Sequence, residues 1–257
     1  MSDEFVRLSV SSGVATVTLD SPHNRNALSS TLLAQLEGHL DTAIADDGAR
    51  LVVLTGAGPV FCSGADLKER GSGTPSQGGP GGLVAILKKI LNSPKPVIAR
   101  VNGPTRAGGI GLVAACDIAV AVDSATFAFS EVRIGVIPAM ISVVVLPKLG
   151  QARTRELFLT GDTFSATDAV QFGLLNAAAP ADQLDEAVDH YSDSILKGAP
   201  AALDGCKRLV REVPGMDLDA AFALTAKWSA EFFSSEEARE GMAAFAEKRP
   251  PRWAETA

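Results

Sequence analysis

Hydrophobic and polar residues alternate with a period of two at the start of the chain: Val6, Leu8 and Val10, then Ala15, Val17 and Leu19, on either side of Ser11-Ser12-Gly13. Period two marks a strand with one buried face, and two such runs around a short polar turn predict a β-hairpin. From Ser29 the spacing changes to that of a helix. Leu32, Leu36 and Leu40 recur at intervals of four, with Leu33 and Ile44 alongside, and Ser29 or Ser30 is placed to cap the first turn. Leu51 to Leu54, Val97 to Val101 and Ile118 to Val122 are short apolar runs, interrupted only by Arg100, and are separated by enough chain for a loop and a helix. Such runs suit strands buried on both faces of a parallel sheet. Beyond about residue 150 the strand signal fades. Leu184, Val188, Tyr191 and Ile195 mark a helix, and helical stretches follow near 200–211, 217–233 and 235–247.

One segment resists this reading. Gly71 to Gly82 holds six glycines and two prolines, a composition that predicts no regular structure and is read either as a linker or as a loop over a site.

Composition narrows the classes of partner. With 46% hydrophobic and 21% charged residues in 257, the chain can bury a large core. The polar start Met1 to Glu4 and the absence of a long apolar run predict neither secretion nor membrane insertion, so a cytoplasmic location is expected. A net charge of −7 without a polybasic run argues against nucleic acid or an anionic membrane as partner. Cys62, Cys116 and Cys206 form no CxxC pair and read as reduced thiols. His23, His39 and His190 have no cysteine or carboxylate at metal-ligand spacing, so no metal site is expected.

Candidate chemistry lies just after the predicted parallel strands, where ligands bind in open α/β sheets. Three segments stand there: Phe61 to Lys68, Asn102 to Gly109 and Phe127 to Gly135. Glycines let backbone N–H groups approach a ligand closely, and a helix starting near Gly108 directs its positive end at developing negative charge. Glu131 is flanked by Phe129, Val132, Ile134 and Ile137, an apolar setting that raises a carboxyl pKa and suits proton transfer; a surface pairing with Arg133 is the plainer alternative. Asp66 and Lys68 read either as site groups or as caps. The pattern Gly109-x-Gly111-x-x-Ala114 imitates a dinucleotide fingerprint, but it begins too far from its strand, and Asp123 follows too soon. Ser63 lacks the preceding glycine of a nucleophile elbow, because Phe61 stands in that place.

Taken together, Asn26-Ala27-Leu28, GPVFCSGADLKE (58–69), PVIARVNGPTRAGGIGLVAACDIAVA (96–121), ATFAFSEVRIGVIPAMIS (125–142) and EEAREGMAAFAEKRPPRW (236–253) resemble the crotonase superfamily, the enoyl-CoA hydratases and isomerases, over nearly the whole chain. Within it, the stretch from Gly108 to Ser142 is similar to bacterial members of the methylglutaconyl-CoA hydratase type. The resemblance implies an α/β fold, a crotonase-like spiral of ββα units over residues 1–195, continued by a helical C-terminal trimerisation region over 196–257 as part of one catalytic unit. It implies a homotrimer or a hexamer built as a dimer of trimers, and coenzyme A as part of an acyl-CoA substrate with no separate cofactor. The backbone N–H groups of Ala65 and Gly108 would form an oxyanion hole, with Glu131 as acid and base. Asp66, Leu67 and Lys68 would line the CoA segment, Ala27 and Leu28 the adenine pocket, and Phe245 and Lys248 the CoA of a neighbouring subunit. Hydratases of the family hold their water between two glutamates; Glu131 matches the second, and Gly111 stands in the place of the first. Hydration of an enoyl-CoA is the implied reaction, with double-bond isomerisation and non-catalytic acyl-CoA binding as alternatives, and Met140 and Ile141 are expected near the acyl group.

Overall fold

The computed structural model describes residues 4–71 and 79–255. The hairpin is present as β1 (Val6–Ser11) and β2 (Val14–Leu19), paired antiparallel with Val6 opposite Leu19. Helix α1 (Ser30–Ala45) follows, capped by Ser29, whose hydroxyl accepts from the Leu32 N–H. Leu32, Leu36 and Leu40 are fully buried against the sheet, each contributing about 2 kcal/mol. The apolar runs become β3 (Leu51–Gly56), then, after α2 (Leu67–Gly71) and α3 (Gly79–Asn92), β4 (Val97–Val101). Next come β5 (Thr105–Arg106), α4 (Gly108–Ala115), β6 (Ile118–Val122) and β7 (Thr126–Ala128). The second half comprises α5 (Ala139–Thr160), β8 (Phe164–Ser165), α6 (Ala166–Gln171), β9 (Ala177–Ala179), α7 (Leu184–Leu196) and the helices α8 (Pro200–Glu212), α9 (Leu218–Phe233), α10 (Glu236–Glu247) and α11 (Arg252–Glu255).

Strands order as β1-β2-β3-β4-β6-β9 in one sheet, parallel from β2 onward, and as β5-β7-β8 in a second, small sheet. The two sheets explain the spiral: the chain leaves β4 in the large sheet, turns into β5 in the small one, and returns through α4 to β6. This turn lays the segment after β3 beside the segment after β4. The Phe61 N–H donates to the Pro104 carbonyl at 3.2 Å and the Arg106 N–H to the Cys62 carbonyl at 2.9 Å. Buried Asn26 pins the first segment, its amide donating to the carbonyls of Val60 (2.8 Å) and Ala57 (3.0 Å) while its oxygen accepts from the Ser21 N–H.

Beyond residue 150 the chain is mostly helical, as its pattern implies, but two short strands interrupt it: β8 extends the small sheet, and β9 adds a parallel edge beside β6. Neither is legible, because two or three residues are too few for periodicity, and Ala177 to Ala179 lack the β-branched side chains of strands. Asn176 supplies the missing order by exchanging hydrogen bonds with Ala119, N–H to carbonyl at 2.8 Å and side-chain oxygen from N–H at 2.9 Å. The glycine-rich segment is also partly regular. Gly79 opens α3, which is held by Leu83, Ile86, Leu87 and Ile90 packed into the core. Tertiary burial overrides the low helix propensity of its first turn; residues 72–78 lie outside the described residues.

The C-terminal helices are tied to the core by polar contacts. Arg50 donates to the carbonyls of Gly198 and Trp253, both at 2.7 Å, and Lys207 pairs with Asp117 at 2.7 Å.

Candidate active site

A cavity of about 260 Å³ opens where the three loop segments meet. It is walled by Leu28, Leu33, Leu67, Leu83, Ile134 and the stretch Val136 to Ile141, and it includes Ala65, Ala107, Gly108 and Glu131. Ligand pockets of drug-sized molecules run from roughly 300 Å³ upward, so this space suits a small apolar group rather than a whole large ligand.

Two backbone donors border it. Leu28 forms a parallel bridge with Ala65, donating its N–H to the Gly64 carbonyl at 2.8 Å and accepting from the Asp66 N–H at 3.4 Å. In that pairing the bonds pass through the residues on either side of Ala65, so its own N–H is turned away from Leu28. The Gly108 N–H belongs to the first turn of α4, whose N–H groups have no intrahelical acceptor. Among the described residues neither N–H donates to a protein acceptor.

Glu131 occupies a 3₁₀ turn, Ser130–Ile134, directly after β7. Fully buried Phe129 anchors this turn, edge-on to Phe158 with ring centres 4.7 Å apart. The Glu131 carboxyl is half-buried, and its Oε2 is shut off from solvent without a hydrogen-bond partner among the described residues. Burial therefore pushes its pKa up from the ordinary carboxylate value, opposed only in part by a bond from its own backbone N–H. The alternative pairing is absent: Arg133 donates instead to Asp162 (2.8 Å) and to the carbonyls of Thr160 and Gly161.

A raised carboxyl pKa carries a stability consequence. Keeping Glu131 neutral is free below its unfolded value, about 4.3; as pH rises toward and through the raised folded value, that contribution to stability is lost. Glu131→Gln, which cannot ionise, is expected to melt above the parent at pH 8 but not at pH 4. Thermal melts at both values check this, and the same difference at both would contradict it.

Of the expected site residues, Leu28, Ala65, Leu67, Gly108 and Glu131 come together on the cavity. Ala27, Asp66 and Lys68 do not line it; Asp66 accepts from the N–H groups of Lys68 (2.9 Å) and Glu69 (3.3 Å), so it caps α2. Phe245, 87% exposed on α10, and Lys248, just past that helix, are also absent from its walls. Gly111 is buried beneath Ile141: a Cβ added to it would lie 2.3 Å from the Ile141 Cγ2. The wall at this point is Ile141, and a glutamate in place of Gly111 has no room. The imitation dinucleotide motif falls wholly inside buried α4, where a Cβ on Gly109 would meet Cys62 at 2.7 Å, so these glycines serve close packing. Cys62 and Cys116 are buried thiols whose pKa is pushed up to about 12, which makes them inert. Among the described residues no cluster of His, Cys, Asp and Glu can hold a metal, and no helix is long and apolar enough to cross a membrane. Ser63, Ala107 and Ser130 also line the cavity; each lies in one of the three candidate segments, although the sequence assigned none of them a role of its own.

The two-sheet architecture places the chain among α/β proteins of the crotonase fold. It overlays the crystal structure of an enoyl-CoA hydratase from Mycobacterium smegmatis with a TM-score of 0.90 at 34% identity, covering 98% of this chain and 99% of that one. The pattern of the enoyl-CoA hydratase/isomerase family matches residues 9–256, and the chain belongs to that family. Relatives include a Thermus thermophilus protein named "Putative enoyl-CoA hydratase", 38% identical over 93% of this chain and 97% of that one. Another is the carnitinyl-CoA dehydratase of Escherichia coli, 34% identical over 97% and 98%.

Proposed function

We propose that the protein is an enoyl-CoA hydratase that binds an α,β-unsaturated acyl-CoA with its thioester carbonyl oxygen between the N–H groups of Ala65 and Gly108. The observation that supports this most directly is the half-buried Glu131 carboxyl, one of whose oxygens is shut off from solvent and unpartnered among the described residues, sharing a small apolar cavity with two backbone N–H groups for which the described residues supply no acceptor. Ionised Glu131 takes a proton from water as the water oxygen bonds to C3. The C2–C3 π electrons move into the thioester and place negative charge on the oxygen held by the two N–H groups, each worth roughly 3 kcal/mol in comparable sites. The enolate then takes the proton from Glu131 at C2, which restores the carboxylate. One group performs both transfers, and its raised pKa, nearer neutrality, suits both roles.

The Ile141 side chain over Gly111 favours a second reading, Δ3,Δ2-enoyl-CoA isomerisation. No second carboxylate can stand there to hold water. Moving a double bond needs none: Glu131 removes a proton from C2 of a 3-enoyl thioester and returns it at C4 of the resulting dienolate, whose oxygen the same two N–H groups would hold.

In the same reading Leu28 and Leu67, with Ala27, Asp66 and Lys68, approach the nucleotide part of CoA, and Phe245 and Lys248 reach it from a second copy in a homotrimer or hexamer. Exposed Phe222, Phe233, Met242 and Phe245 on α9 and α10 support association through the C-terminal region 196–257. CoA belongs to the substrate, and no separate cofactor is invoked.

Calorimetry with acetoacetyl-CoA and butyryl-CoA is expected to show saturable binding, and heat from neither would remove the reading. Loss of the enoyl-thioester absorbance of crotonyl-CoA marks hydration, its gain from 3-hexenoyl-CoA marks isomerisation, and binding without either marks an acyl-CoA-binding protein.

A further inference from the structure

Ala107 adopts φ 49° and ψ −120°, a conformation of the first central residue of a type II′ turn, which glycine enters freely and alanine does not. The surroundings impose it. The Arg106 N–H is bound to the Cys62 carbonyl, the Arg106 guanidinium to Thr105 and Thr126, and the Ala107 N–H to the Ala128 carbonyl at 3.2 Å. On the other side the Ala107 carbonyl accepts from Ile110 at 2.9 Å. The ψ angle of residue 107 sets the plane of the next peptide, and so the direction of the Gly108 N–H.

Its methyl group has a second contact. A Cβ on Gly64, itself at φ +90°, would lie 2.8 Å from the Ala107 Cβ, so the methyl fills the space above residue 64, next to Ala65. Ala107 therefore touches the segment carrying one donor while aiming the other, and it lines the cavity as well. Strain that the surroundings hold in place at a site wall is a mark of preorganisation.

We propose that Ala107 is a positioning residue: its methyl, wedged against Gly64, fixes the spacing and direction of the Ala65 and Gly108 N–H groups toward a thioester oxygen. This rests on the acyl-CoA reading above. Without the methyl the two segments lose their spacer and the peptide between residues 107 and 108 gains freedom, so grip on a charged oxygen weakens more than grip on the rest of the ligand.

The test compares Ala107→Gly and Ala107→Ser in the full chain. Dissociation constants are measured for acetoacetyl-CoA, whose β-ketothioester readily forms an enolate, and for butyryl-CoA, which stays neutral. Turnover is measured on the faster of crotonyl-CoA and 3-hexenoyl-CoA. Ala107→Gly is expected to lower kcat about tenfold with KM changed less than twofold, and to shrink the acetoacetyl preference by a similar factor. Ala107→Ser keeps the Cβ and is expected to restore both to within twofold. An Ala107→Gly variant that keeps the parent kcat and preference overturns the proposal, as does one that weakens both thioesters equally, which is general loosening. If the unaltered protein binds neither thioester, the acyl-CoA reading itself falls and takes this one with it, a result seen before any variant is made.

Discussion

Glu131→Gln is expected to lower turnover of the best enoyl-CoA by about 10²-fold or more while the dissociation constant of butyryl-CoA stays within twofold. Gln keeps the size of the side chain and cannot carry a proton between substrate positions. The environment sharpens the expectation: Arg133 is committed to Asp162 and the end of α5, and among the described residues the cavity walls contribute no other carboxylate. Steady-state kinetics beside calorimetry separate the two quantities. Turnover that survives the substitution would remove Glu131 from the chemistry, and affinity that collapses with it would make the residue a structural or binding group.

Gly111→Glu is expected to fail as a restoration of the two-glutamate hydratase site. The first side-chain atom would sit 2.3 Å from the Ile141 Cγ2, and the rest would place a carboxylate in a fully apolar layer between α4 and α5. Overpacking costs about 1–3 kcal/mol, and an unpaired buried charge several more, so a melting temperature lower by about 10 °C is expected, with activity lost. Ile141→Ala removes the obstructing atoms. The double variant Gly111→Glu with Ile141→Ala is expected to recover folding and to hydrate crotonyl-CoA faster than Ile141→Ala alone. If Gly111→Glu by itself folds normally and hydrates faster than the parent, Ile141 yields easily and the wall is not fixed as described.

Local patterns in the chain determined much of the frame. Alternation in Val6 to Leu19 specified the hairpin, Ser29 with Leu32, Leu36 and Leu40 specified α1 and its cap, and the short apolar runs specified the parallel strands β3, β4 and β6. These are properties of neighbours in sequence, where the period of side-chain exposure equals the period of the backbone. Motif content was equally legible: the family was recognisable from its segments, and Glu131 stood out because its apolar flank is contiguous.

What remained hidden depends on partners far apart in the chain. Strand β9 exists because Asn176 and Ala119 lock together across the sheet edge, and the first turn of α3 exists because its later residues are buried. Sequence showed that residue 111 lacks a carboxylate, but only packing shows that Ile141, thirty positions on, takes up the space. In the same way Ala107 has no unusual neighbours in sequence; its left-handed backbone is imposed by Cys62, Ala128 and Gly64, brought to it by the turn from the large sheet into the small one. Residue type and spacing determine which groups the site contains, and three-dimensional packing decides how much room each has and where its protons and donors point.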